Sequence, residues 1–244
     1  MTSRLFTIGF LGAVVLVGAC ASSSATSTPH ARAEERLGGA ANESLILRRT
    51  CPSANAAPAS GLIADFSAEH QAGGGASGIP GKIVTSVPPD SVPGAIATST
   101  TQGGKLTINV KAPLGAKPQF FTTSLLFDSC VDASGFAGVE FHISGSLSGC
   151  SMTYASVDPE HQYHRMGGPY PPQKRISPEN FTSEPQKIVA PFRDVEIPGN
   201  PTTPTDPSKL AFIQWVVIAP VAADDGSAPP CTGSIIIDDV KLYR

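Results

Sequence analysis

The densest cluster of side chains able to do chemistry lies between residues 158 and 183. It holds Glu160, His161, Tyr163, His164, Arg165 and Tyr170. His161 and His164 have H-x-x-H spacing, but a metal site needs a third ligand on a rigid element, and none is evident in the sequence. Stacking of Tyr163 and Tyr170 on a partner is the chemistry this loop supports better. Glu140, with Asp194 or Glu196, offers carboxylate pairs. Glycoside hydrolysis would require such a pair about 5–10 Å apart across a cleft, and nothing in the spacing favours that arrangement. The chain has no G-x-S-x-G, no H-E-x-x-H and no P-loop, the motifs that would announce acyl transfer, metalloproteolysis or phosphate binding. Gly73, Gly75 and Gly78 match G-x-G-x-x-G in form only, because Ile79-Pro80 follows where a phosphate-binding helix should begin. The chain reads as a non-enzyme.

Short strands are the framework on which these side chains sit. Gly and Pro number 24 and 23 while only 15% of residues are charged, a punctuation that favours strands over long helices. Val139, Phe141 and Ile143 alternate with Glu140, His142 and Ser144, which gives a strand with one apolar and one polar face. Ser144 to Gly149 reads as a turn and 152–157 as a strand pairing back in a hairpin. Further strands are predicted over 62–67, 82–87, 95–101, 105–111, 120–128, 188–197, 210–219 and 234–243. The 210–219 stretch, LAFIQWVVIA, is the most apolar and is predicted to be central in a sheet, with Trp215 in the core beside Ile213 and Val217. Ser177-Pro178-Glu179 can open a single helical turn, and Asp206-Pro207-Ser208 is a turn. About nine or ten strands in roughly 185 residues fit an all-β, two-sheet antiparallel β-sandwich or jelly roll.

Ahead of the folded domain, Arg4 precedes an apolar run from Leu5 to Val17 that ends in Gly18-Ala19-Cys20. The run is short for a membrane span and has the form of a secretory signal. It resembles a bacterial lipoprotein signal, which makes residues 1–19 the signal peptide and Cys20 the lipidated first residue. Ala21, next to it, is then compatible with outer-membrane sorting. Residues 20–60, rich in Ala, Ser, Thr and Pro, read as a disordered tether, and 61–244 as the sandwich domain. The formal charge of −3 argues against nucleic acid, which calls for a basic stripe. Cys51, Cys130, Cys150 and Cys231 form an even set in an exported chain, which implies two disulfides and leaves three connectivities open. The expected pairs are Cys130–Cys150, closing the hairpin, and Cys51–Cys231, tying the N-terminal arm to the last strand.

The frame LIADF, DASGFAGVEFHISG, PFRDV, IQW and IIIDDVKLY resembles the galactose-binding-like β-sandwich of bacterial carbohydrate-binding modules and their lipoprotein relatives. The matching positions are Asp65, Phe66, Asp132, Ser134, Gly138, Phe141, Gly145, Phe192, Gln214, Trp215, Asp238 and Asp239. The resemblance covers about residues 61–244. It implies a non-catalytic module, anchored to the cell envelope or extracellular, that binds a polysaccharide. It also implies one structural Ca2+ helped by Asp65 and Asp238, the latter on a core face with Ile236, Val240 and Leu242. Sugar recognition needs aromatic faces and polar groups, for which Glu140, His142, Tyr154 and Gln214 on strands and Tyr163 and Tyr170 in the loop are the candidates. The chain is expected to act as a monomer. Two other readings stand beside this one: a sandwich that binds or scaffolds another protein, and a divergent polysaccharide hydrolase or lyase.

Overall fold

The computed structural model describes residues 50–67, 78–161, 171–193, 203–222 and 229–244, all within one compact unit, Leu37–Arg244. Cys20, Tyr163, His164, Tyr170, Asp194 and Glu196 lie outside the described residues. No helix among the described residues is long and apolar enough to cross a membrane.

Twelve strands follow in chain order: β1 (Ala54–Ala56), β2 (Leu62–Ala64), β3 (Gly81–Ser86), β4 (Ile96–Gln102), β5 (Lys105–Ala112), β6 (Gln119–Asp132), β7 (Gly138–Ser148), β8 (Ser151–Val157), β9 (Gln173–Ile176), β10 (Gln186–Pro191), β11 (Leu210–Ala219) and β12 (Cys231–Tyr243). They form two sheets. The first runs β1-β6-β11-β8-β9, with β3 also on β6; the second runs β10-β7-β12-β5-β4, with β2 also on β12. Every pairing is antiparallel except the short β1–β6 contact. This is the two-sheet β-sandwich that the alternating patterns predict. The apolar β11 lies between β6 and β8, central in its sheet as the sequence predicts. Single 3-10 turns occur at Pro178–Asn180 and at Pro207–Lys209, where the Asp206 side chain caps the Ser208 amide.

The core lies between the sheets. Val139, Phe141 and Ile143 of β7 face Tyr154 of β8 and Trp215 of β11, all buried. The rings of Phe141, Tyr154 and Trp215 pack with centroids 5.0, 5.7 and 5.9 Å apart, within the range of favourable edge and tilted contacts.

Several local expectations are corrected. β7 continues through Ser148 instead of turning at Ser144, and β8 does not pair with it. β7 belongs to the second sheet and β8 to the first, so the connection through Gly149 and Cys150 crosses from one sheet to the other. The disulfides follow that topology as Cys51–Cys130 and Cys150–Cys231, not as the hairpin reading paired them. Cys150 follows β7, whose Ser148 is in register with Thr232 of β12, so Cys231 is its natural neighbour. Cys51 leads into β1, whose Ala54 is in register with Cys130. The fold thus takes in residues from the stretch read as tether.

Asp238 also changes face. The β7–β12 register shifts between Asp238 and Lys241, and Asp239 has a positive φ of 54°. This β-bulge inserts one extra residue and resets the alternation. Val240 and Leu242 therefore join Ile235 and Ile237 in the core, while Asp238 is half-buried with the opposite parity. Gly145, opposite Ile235, is at φ 111°, and a Cβ there would strike the Ser234 carbonyl oxygen, so only glycine fits.

Candidate functional site

The outward-pointing side chains of the first sheet make the floor of a groove of about 750 Å³. Three ranks cross it in register. The first runs Ser124, Gln214, Ala155, Gln173 across β6, β11, β8 and β9. Its two amides line the groove on either side of Ala155, which like Ser124 is buried beneath the floor. The second runs Thr122, Val216, Thr153 and, at the β9 edge, the exposed Arg175, with two hydroxyls flanking an apolar side chain. The third pairs Phe120 with Ile218. Phe120 is 42% exposed, and its neighbour Phe121 is buried in the core. The floor therefore grades from amide to hydroxyl to aromatic and aliphatic over three ranks.

Two loops wall this floor, 88–92 after β3 and 115–118 before β6. Gln119 ties them together: its Nε2–H donates to the Pro113 carbonyl at 2.9 Å, and its Oε1 accepts from the Val92 amide at 3.0 Å. A Cβ at Gly115 would lie 2.6 Å from Val92 Cγ2, so glycine allows the loops to approach. The second loop is held from behind by the Ala222 amide, which donates to the Gly115 carbonyl at 2.9 Å. The buried hydroxyls of Ser91, in the wall, and Ser124, beside Gln214, have no hydrogen-bond partner among the described residues. The walls carry one acid, Asp90, and one base, Lys117, so the described lining is close to neutral.

The structure separates the sequence candidates. Gln214 lies in the groove. Tyr154 does not: it is in register with Trp215 and is 1% exposed, its hydroxyl 2.9 Å from Ser156 Oγ. Burial pushes its phenol well above the ordinary tyrosine range, and the Ser156 contact opposes this. Tyr154 does not join Glu140 and His142 because β8 belongs to the first sheet, where its even-numbered residues point inward. Glu140 and His142 are on the outer face of the second sheet, away from the groove. There Lys187 of β10 pairs with Glu140 at 2.7 Å, and Asp239 of β12 meets Lys241 and, at 3.8 Å, His142. This is a solvated ionic ladder.

His161, at the start of the 158–183 loop, is only 1% exposed. Its Nδ1–H donates to Asp158 Oδ2 at 2.8 Å, and its Nε2 lies 2.7 Å from the Thr203 hydroxyl. Asp158 also accepts from the amides of Glu160, His161 and Asp206. Burial raises the Asp158 pKa. The His161 side chain and the Asp206 and His161 amides lower it and prevail, so the carboxyl stays below the ordinary value of 3.8. This network latches β8 to the 203–206 segment and leaves His161 bound within it. The same loop contributes β9, whose Gln173 reaches the groove.

Asp65 follows β2 and Asp238 is on β12, neighbouring strands. The Asp65 Oδ1 accepts from the amide and hydroxyl of Ser67 at 3.1 and 3.0 Å. The described residues gather no group of three His, Cys, Asp or Glu side chains that would hold a metal. Calcium takes six to eight oxygens, so backbone carbonyls would have to supply most of its shell there.

Sequence reasoning missed Phe120, Thr122, Thr153, Gln173 and both walls. One signal was present: Gln214 is the lone polar residue of an apolar strand and shares its parity with Val216 and Ile218, a half-apolar face that a plain solvated sheet does not need.

No protein-family model matches the sequence, and no curated protein matches it. Among solved structures, the chain is similar to the family 11 carbohydrate-binding module of a cellulosomal cellulase of Clostridium thermocellum, at 14% identity over 77% of this chain and 95% of that one, with a TM-score of 0.45. It is similar also to a family 11 module of the same organism in complex with a β-1,3-1,4-mixed-linked tetrasaccharide, at 16% identity over 66% of this chain and 88% of that one, with a TM-score of 0.42. A family 30 carbohydrate-binding module matches at 17% identity over 65% of this chain and 76% of that one, with a TM-score of 0.34.

Proposed function

We propose that this protein is a non-catalytic carbohydrate-binding module and that the groove on the first sheet is its glycan site. The observation that carries this reading is the floor itself: an exposed Phe120 ring and the aliphatic Val216 and Ile218, next to the Gln214 and Gln173 amides and the Thr122 and Thr153 hydroxyls. A sugar ring has apolar C–H faces and hydroxyl edges. It needs an aromatic or aliphatic surface and, within one ring's reach, groups that both donate and accept hydrogen bonds. An amide side chain does both, which suits a hydroxyl. The near-neutral lining suits a polysaccharide better than a highly charged ligand.

Around this site the reading places the chain on the bacterial envelope through a lipid on Cys20, with a structural Ca2+ near Asp65 and Asp238. Calcium should then raise the melting temperature and EDTA lower it; equal melting curves would remove the ion from the proposal. The glycan reading is tested by affinity electrophoresis and glycan-array binding of the full chain. Retention by one polysaccharide class, lost in Gln214→Ala and Phe120→Ala but kept in Glu140→Ala, is the expected result. A folded chain that binds no glycan overturns the proposal.

A further inference from the structure

Strands at a sheet edge present unpaired backbone groups, and proteins blunt them with lysine, proline, bulges or short length. Most edges here are treated that way. β3 carries Lys82, β9 carries Lys174 and Arg175, β10 carries Lys187 and Pro191, and β1 and β2 are three residues each. β4 is the exception. Its seven residues, IATSTTQ, include no charge and no proline. It pairs with β5 without a register shift from Ile96↔Lys111 to Gln102↔Lys105, so no bulge twists it away. On its other side it pairs with no strand among the described residues. Ile96, at its start, is 54% exposed, more than Phe120 or any other large apolar side chain described. The edge is also held in place: Thr85 Oγ1 of β3 donates to Ser99 Oγ at 2.7 Å and lies 3.1 Å from Thr123 Oγ1.

We propose that β4 is an interface at which two copies of this chain join edge to edge, in place of the monomer that the sequence alone suggests. The pairing is antiparallel about a two-fold axis at Ser99, so that each copy offers the same strand to the other. That register sets Ile96 opposite Gln102, Ala97 opposite Thr101 and Thr98 opposite Thr100. No like charges oppose one another, and the Thr–Thr pairs are favourable cross-strand neighbours. The ends of the strand are open, since a Cβ at Gly94 or at Gly103 would meet nothing within 4 Å. The lysines of the neighbouring strand, Lys105 and Lys111, are one strand in on β5. Across the joint they are separated by about three strand spacings, roughly 14 Å, beyond the Debye length of about 8 Å at physiological salt. An extended segment of a different protein would find the same open edge, but self-pairing needs no partner chemistry that β4 does not already supply.

The test is the solution mass of the full chain by light scattering across a concentration series, with two double variants on the exposed Thr98 and Thr100. The expected mass at high concentration is twice that of the chain. T98K/T100K sets lysines opposite lysines across the two-fold and should return the monomer mass. T98K/T100E sets unlike charges opposite one another in the same register and should keep the dimer. Since both doubles alter the same exposed positions, loss in the first with retention in the second cannot come from misfolding. A monomer at all concentrations overturns the proposal, as does a dimer indifferent to T98K/T100K.

Discussion

The two outer faces of the sandwich are built from the same kind of strand and have opposite characters. On the second sheet, Glu140 and His142 alternate with core residues and are answered by Lys187, Asp239 and Lys241. On the first, Gln214 alternates with core residues in the same way, but its neighbours on the face are Val216, Ile218 and Phe120. In sequence both look like the wetted side of a half-buried sheet. The difference lies in what surrounds them. The first face has walls, the 88–92 and 115–118 loops clamped by Gln119, and a concave, partly apolar floor can hold a ligand. The second face has charges that satisfy one another. A polar residue on a sheet therefore says little about binding until its rank-mates and the loops beside it are known.

Both faces stand on one core, so the largest effect should come from the middle. Trp215→Ala removes the ring that packs on Phe141 and Tyr154 and should cost about 3–5 kcal/mol, read as a lower urea midpoint with both faces damaged. Next is the Asp158 latch, which holds β8 and hence the Thr153 side of the groove. Asp158→Asn replaces a buried carboxylate that accepts four hydrogen bonds by a neutral amide and should cost about 1.5–3 kcal/mol at neutral pH. Because the folded carboxyl is held below its ordinary 3.8, its contribution is whole above that value and is lost as the pH falls through the folded one. The wild type should therefore lose this stability only below pH 3.8, and the Asn variant should show a flatter acid limb; identical acid limbs would remove Asp158 from the account.

Smaller effects separate the two faces directly. Gln214→Ala or Phe120→Ala should weaken glycan binding about tenfold or more, a loss of about 1.4 kcal/mol, with melting nearly unchanged. Glu140→Ala and His142→Ala should leave binding as it was, and a binding loss from either would erase the distinction between the faces. Lys187→Ala should be the weakest, at most about 0.2–1 kcal/mol of stability for an exposed pair, shrinking as salt is added.

Much of the architecture was legible in the chain because strand parity is a local property. Val139-Phe141-Ile143 declares a core face, LAFIQWVVIA declares a central strand, and the Gly and Pro spacing marks the turns. Parity fails where geometry is not local. The bulge at Asp239 moved Asp238 out of the face that counting by twos assigned it. The change of sheet between β7 and β8 turned Tyr154 inward and undid the predicted hairpin.

Local pattern in the chain is enough for the all-β class, for the strands other than β1 and β9, for the burial of Trp215 and for two disulfides' worth of cysteines. Which cysteines meet follows from the folded topology, since Cys51–Cys130 and Cys150–Cys231 span 79 and 81 residues and depend on which strands share a sheet. That topology alone brought Phe120, Thr153, Gln173 and Gln214 onto one floor. These residues come from four strands far apart in the chain, and register across a sheet is fixed by long-range pairing that no single stretch encodes.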